Sequence, residues 1–208
     1  MLGYIFKFLN ELLYTILRSL PFIRKPKSKN YLVIGASSGI GRSLVLQLAK
    51  SANVEIGIAV ASRKIDELAE LKAEVEKRFP KVKVFVRRFD ITHFNDADSL
   101  IDDSSKALGS LDTIVVNAGI ADISSLGDDD YFKKGKAILD TNLTGPVAVI
   151  SSFVKYAKKS KIVNPYIVTV SSIVSSRVFV RTNLASAHND CIRNFKKRIR
   201  LFYPRRPQ

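Results

Sequence analysis

At 208 residues, 46% of them apolar, the chain is long enough to close one domain around a full core, and its single cysteine, Cys191, excludes an intramolecular disulfide or a cysteine-built metal centre. The net charge of +15 points to nucleic acid only until it is divided along the chain: residues 1–30 carry six cations against Glu11, residues 177–208 carry nine against Asp190, and the middle is close to neutral. A near-neutral centre with no basic strand interleaved with aromatics does not fit a groove-reading or RNA-binding fold, and the cysteine usage suits a reducing compartment.

Residues 2–23 are largely apolar, but Lys7, Glu11 and Arg18 interrupt them, so they make a poor spanning helix. At helical spacing Lys7, Asn10, Glu11, Tyr14, Thr15 and Arg18 share one face, and Ile5, Leu9, Leu12, Leu13, Ile16 and Leu20 share the other. This pattern predicts an amphipathic helix lying in a membrane surface. The following Arg24, Lys25, Lys27 and Lys29 would strengthen its hold on an anionic leaflet. A signal peptide fits less well, because charges penetrate the apolar stretch and no small-residue cleavage site follows. The alternative is a helix docked on the domain or on a second copy of it in a homodimer. Residues 1–29 are therefore read as surface helix and basic linker, 30–176 as the folded domain, and 177–208 as a basic, atypical tail.

The domain opens with Tyr31-Leu32-Val33-Ile34, an apolar run that suits a strand buried on both faces. It breaks into Gly35-Ala36-Ser37-Ser38-Gly39-Ile40-Gly41, and Ile40, Leu44, Val45 and Leu48 then recur at helical spacing. Strand, glycine loop and helix in this order read as a phosphate cradle, a plain turn opening a helix being the competing reading. Gly35 permits the sharp exit, Gly39 and Gly41 remove side chains where a pyrophosphate meets the helix N-terminus, and Ser37 and Ser38 offer hydroxyl donors. A second strand over residues 54–61 ends at Ser62-Arg63-Lys64. The tip of this strand meets the adenine ribose in such units, and an arginine without an acid there favours the 2′-phosphate of NADP over NAD. A solvated arginine at a strand end is the competing reading.

Ile65, Leu68, Leu71, Val75 and Phe79 mark a helix ending at Pro80, and residues 82–86 a third strand running out at Phe89-Asp90-Ile91-Thr92. A helix through Leu100, Ile101 and Leu108 stops near Gly109, and residues 111–116 form a fourth strand ending in Asn117-Ala118-Gly119. Asp140-Thr141-Asn142-Leu143 is expected to open a long helix through Val147, Ile150, Val154 and Ala157, and residues 165–172 to form a fifth strand ending at Ser172. Alternation at these intervals predicts an α/β fold, a doubly wound parallel sheet of Rossmann-like type.

With these motifs in order, the chain resembles the short-chain dehydrogenase/reductase family of the classical type. The resemblance implies that residues 35–41, Ile40 included, form the cofactor loop, that Asp90 with Ile91 contacts adenine, and that Asn117, Ala118 and Gly119 are the fourth-strand motif. It implies that Asn142 and Ser172 are the catalytic asparagine and serine, and that the reaction is hydride transfer between a nicotinamide and an alcohol or carbonyl carbon. The substrate is expected to be a small apolar alcohol or carbonyl compound, and the location the cytoplasmic face of an intracellular membrane.

The pattern departs from the family further on. A tyrosine acts as proton carrier in the family, and a lysine four residues later lowers its pKa from about 10 toward neutrality. At the family's spacing these positions hold Ala185 and Asn189. His188 is three residues off register, and a surface histidine is the better reading of it. The composition turns basic from Arg177, and the family's sixth and seventh strands and substrate loop do not follow, which suggests C-terminal strands missing through a disrupted frame. The main reading is an NADP-dependent oxidoreductase, inactive as written. The alternatives are a non-catalytic nucleotide- or partner-binding protein of the same fold and, more weakly, a basic adaptor for anionic lipid or nucleic acid.

Overall fold

A computed structural model of the chain describes residues 30–121 and 128–171. Five parallel strands form one sheet in the order β3-β2-β1-β4-β5, with β1 Asn30–Ile34, β2 Ile56–Ser62, β3 Val82–Arg88, β4 Thr113–Val116 and β5 Tyr166–Thr169. The connecting helices are α1 Gly39–Lys50, α2 Ile65–Arg78, α3 Ala97–Leu108, and a pair, α4 Tyr131–Leu139 and α5 Gly145–Lys159, joined without a break by a π-helical turn over Asp140–Thr144. The expected doubly wound sheet is observed.

Side chains alternate across each strand, so β1 sends Leu32 and Ile34 to one face and Tyr31 and Val33 to the other, all buried. On the first face they meet Leu100 and Ile101 of α3 and Val149 and Phe153 of α5. On the second they meet Val45 and Ala49 of α1 and Leu68, Leu71 and Val75 of α2. A strand apolar from Tyr31 to Ile34 is thus buried on both faces, as parallel sheets require. At about 1.5–3 kcal/mol for each fully buried Leu, Ile, Val or Phe, these two layers are the main source of stability.

Several element boundaries differ from the sequence reading, among them the fifth strand, which runs Tyr166–Thr169 and not over residues 165–172. The second strand starts at Ile56 and not at Val54, which is 56% exposed in the preceding turn. The fourth starts at Thr113, while Leu111 still packs fully buried and its N–H donates to the Tyr156 hydroxyl at 3.0 Å. The long helix begins at Tyr131, nine residues before Asp140. Helix α5 has the length and hydropathy, together with α4, to cross a membrane, yet Val149, Ile150, Phe153 and Ala157 bury it on the sheet. The amphipathic segment 2–23, the tail 177–208, and Ser172, Ala185, His188 and Asn189 all lie outside the described residues.

Candidate functional site

The strand order reverses between β1 and β4, and at such a switch point two connections leave in opposite directions and open a crevice at the strands' carboxyl ends. A cleft of about 240 Å³ lies there. It is lined by Ile34, Gly35, Ser37 and Ser38 after β1, Ser62, Arg63 and Lys64 after β2, Phe89, Asp90 and Ile91 after β3, and Asn117, Ala118, Gly119 and Ile120 after β4. Thr141 closes it from the π turn.

The glycine loop is held from below. Gly35, at φ +80°, donates its N–H to Ala61 O at 2.7 Å, and Asn117 Nδ2 donates to Gly35 O at 3.0 Å. A side chain at Gly41 would collide with that same Gly35 carbonyl and stand 2.7 Å from Asn117 Nδ2. Gly41 is therefore required by the loop's own closure as well as by any ligand. Gly39, Ile40 and Gly41 form the first turn of α1, whose N-cap Ser38 makes no side-chain cap bond and whose first turn has no acid. The helix end keeps its partial positive charge and its N–H donors for an anion.

At the tip of β2, the Ser62 hydroxyl accepts from Lys64 N–H at 3.1 Å, a tight turn that leaves Arg63 exposed on the cleft rim. Lys64 is paired with Glu67 at 2.9 Å, whereas Arg63 has no hydrogen-bond partner among the described residues. At the adjoining end of β3, partial burial alone would raise the Asp90 carboxyl. Its Oδ1 accepts from Thr92 N–H at 3.0 Å and Thr92 Oγ1 at 2.8 Å, and these bonds, with the charges of Arg63 and His93, hold it below the ordinary carboxylate range. Asp90 is thus a fixed anion facing a cationic rim.

Asn142 stands behind the cleft wall. Ile120 N–H donates to Asn142 Oδ1 at 2.8 Å, and Asn142 Nδ2 donates to Ile120 O at 2.7 Å, so both ends of the amide are held by one backbone residue. The π turn that carries Asn142 also brings Gly145 so close to the strand-exit loop that a side chain there would collide with Ile91 O. Such insertions cluster at functional sites because they re-aim one helical turn. The expected cofactor residues thus converge on one cleft and its supporting turn. Ile34, Ser62, Lys64, Phe89, Ile120 and Thr141 are additions. Each adjoins a residue named from the sequence, and Thr141 reaches the cleft on the π turn, next to Asn142.

The sequence profile described as short chain dehydrogenase matches residues 29–200. The chain belongs to the short-chain dehydrogenase family. It is 27% identical over 177 residues to an uncharacterized oxidoreductase of Mycobacterium tuberculosis, covering 85% of this chain and 68% of that protein. It is 29% identical over 198 residues to 11-beta-hydroxysteroid dehydrogenase 1A of Arabidopsis thaliana, covering 95% and 53%. With the farnesol dehydrogenase of Aedes aegypti the identity is 31% over 147 residues, 71% of this chain and 58% of that one. The chain therefore spans about half to two thirds of the length of these relatives.

Among solved structures, an alcohol dehydrogenase from the archaeon Thermococcus sibiricus complexed with 5-hydroxy-NADP superposes with a TM-score of 0.74 at 20% identity, covering 84% of this chain and 71% of that one. A family member from Burkholderia phymatum in complex with NAD gives 0.75 at 17%, covering 85% and 60%. These two share the fold of this chain. They differ in the nucleotide they hold.

Proposed function

We propose that this is a chain of the short-chain oxidoreductase type, built for an apolar alcohol or carbonyl compound but inactive as written, that binds NADP in preference to NAD and is attached through residues 2–23 to the cytoplasmic face of an intracellular membrane. The observation that carries the cofactor preference is Arg63, exposed on the cleft rim at the tip of β2, with no acid at the end of β2 itself and no hydrogen-bond partner among the described residues, its charge also reaching the Asp90 carboxyl after β3. The bound nicotinamide would supply a hydride acceptor or donor for the alcohol or carbonyl carbon. The chain's part is to hold the pyrophosphate on the α1 N-terminus, the 2′-phosphate on Arg63 and the adenine beside Asp90. The steroid and farnesol activities named for two relatives support an apolar substrate.

The proton step is where this chain departs. A positioned proton carrier contributes roughly 10²- to 10⁴-fold, and Ala185 and Asn189 can neither carry a proton nor tune one, so turnover is expected near background. This pair favours a second reading, a nucleotide-binding protein of the same fold without catalysis. A panel of alcohols with NADP tests both: steady turnover abolished by Ser172→Ala would remove the second, and the inactivity in the first. For the cofactor, calorimetric titration of NADP and NAD into the wild type and Arg63→Ala is decisive. A charge-assisted bond is worth about 1.5–3 kcal/mol, so the variant should lose roughly 10- to 100-fold for NADP and little for NAD. Equal loss for both nucleotides, or none, would remove the assignment.

A further inference from the structure

The cleft occupies the carboxyl ends of the strands, and the opposite rim of the sheet has a different character. All five strands are parallel and in register, so the connections leading into them, residues 51–55, 79–81, 109–112 and 160–165, lie at one end of the domain. This rim is cationic. Helices α1, α2, α3 and α5 end in exposed Lys50, Lys77, Lys106, and Lys158 with Lys159, and Lys161 follows in the last connection, while the acids in the same last turns and connections are Glu55, Glu76 and Asp112. Asp112 is engaged by the Asn30 N–H at 3.1 Å.

Cations in last turns complement helix dipoles, and that role accounts for about one per helix. It does not account for the apolar tips between them. Val163 is 81% exposed and Val54 56% exposed, each at the tip of its connection. In the strand order β2-β1-β4-β5 these two tips stand three strand spacings apart, about 14 Å, and β1 begins between them. Asn30, the first residue of β1, stands at this rim, and the sequence that leads into it carries Arg24, Lys25, Lys27 and Lys29.

We infer that this rim is the face the domain lays on an anionic bilayer, with Val54 and Val163 dipping into the headgroup region and the lysines of α5 and its connection on lipid phosphates and carboxylates. The inference rests on the reading of residues 2–23 as a membrane-surface helix and goes beyond it by giving the domain an orientation. Exposed apolar tips ringed by lysines match an interface in which apolar side chains are buried while cations meet anionic headgroups. A nucleic-acid partner would call for exposed rings to stack on bases, and these tips carry valines instead. With this face down, the cofactor cleft opens away from the bilayer, one strand length above it. Strands of four to seven residues make that height about 13–23 Å.

The chain contains no tryptophan, so a single Val163→Trp substitution in the full chain gives an unambiguous probe, and Val54→Trp an independent second one. Each variant is mixed with vesicles of phosphatidylcholine alone or with 30 mol% phosphatidylserine (about that fraction), with and without brominated phosphatidylcholine. The expected result is sedimentation with the anionic vesicles, a blue shift of the Val163→Trp indole and its quenching by the brominated lipid. The triple variant Lys158→Gln, Lys159→Gln, Lys161→Asn, checked for an unchanged thermal midpoint, should lower partitioning about fivefold per charge, on the order of 100-fold in all. Neutralising Arg88, Lys133 and Lys136 at the cleft end should not. Sedimentation with the indoles unshifted, or with the triple variant unaffected, overturns this orientation and leaves the N-terminal attachment standing. Failure to sediment with either vesicle overturns both. Binding of single-stranded RNA that is lost in the triple variant, with the indoles unshifted on vesicles, would reassign the face to nucleic acid.

Discussion

Replacing Asn142 by alanine removes both bonds to Ile120, at 2.8 and 2.7 Å, and frees the segment after β4 that walls the cleft. Ile120 is 38% exposed, so water can take up its N–H and C=O, and each bond is worth about 0.5–1.5 kcal/mol net. Alanine recovers roughly 0.5 kcal/mol through its higher helix propensity. The balance is a loss of about 1.5 kcal/mol, or about 3–6 °C in the melting midpoint of a chain of this size. Because Gly119 and Ile120 line the cleft, NADP affinity should fall by at most about tenfold, the whole of that loss. Asn142→Asp refines the test. Its carboxylate still accepts from Ile120 N–H but faces Ile120 O without a proton to donate, which raises its pKa in the folded state. A raised folded pKa gives stability that is present below the unfolded value, about 3.9, and lost as pH rises through the folded one. Asn142→Asp should therefore gain on Asn142→Ala as pH falls from 7 toward 4. Circular dichroism melts across that range, with calorimetric titration of NADP at pH 7, measure both. An Asn142→Ala midpoint within about 1 °C of wild type, with unchanged affinity, would refute the clamp.

Gly41→Ala should cost about 1–3 kcal/mol by driving a methyl into the Gly35 carbonyl and the Asn117 amide, and should lower NADP affinity at least about tenfold while the circular dichroism spectrum stays α/β. Retained affinity would show that the loop closes differently. For Asp90→Asn, the wild-type carboxyl is depressed by Thr92, Arg63 and His93, so its contribution exists above the unfolded value and is lost as pH falls through the lower folded one. Urea titrations should find the variant about 1 kcal/mol less stable above pH 5, with the gap closing below about pH 4. A gap that widens in acid would contradict that sign.

The sheet was legible because each strand is a short apolar run followed by helical periodicity, and because the site residues sit where strands end: Arg63 after β2, Asp90 after β3, Asn117 after β4. Helix α4 was not legible, since it buries only Gly135 and Ile138 and leaves Phe132 83% exposed, too thin a stripe to register as a period. Val54 misled as an apolar residue adjoining a strand yet outside it. Thr141 and the close approach of Gly145 to Ile91 depend on the π turn, which inserts a residue into the helical phase and leaves no mark in a 3.6-residue pattern. The engagement of Asn142 with Ile120 joins residues 22 apart and is a tertiary fact.

The central claim is that one cleft, built from the ends of β1, β2, β3 and β4, holds NADP. Amide hydrogen exchange of the full chain with and without saturating NADP tests it segment by segment. The account predicts added protection over residues 35–41, 61–64, 89–92 and 117–120, with β5 and the rim at residues 160–165 unchanged. No added protection at saturating NADP, or protection confined to segments away from those four, would contradict it.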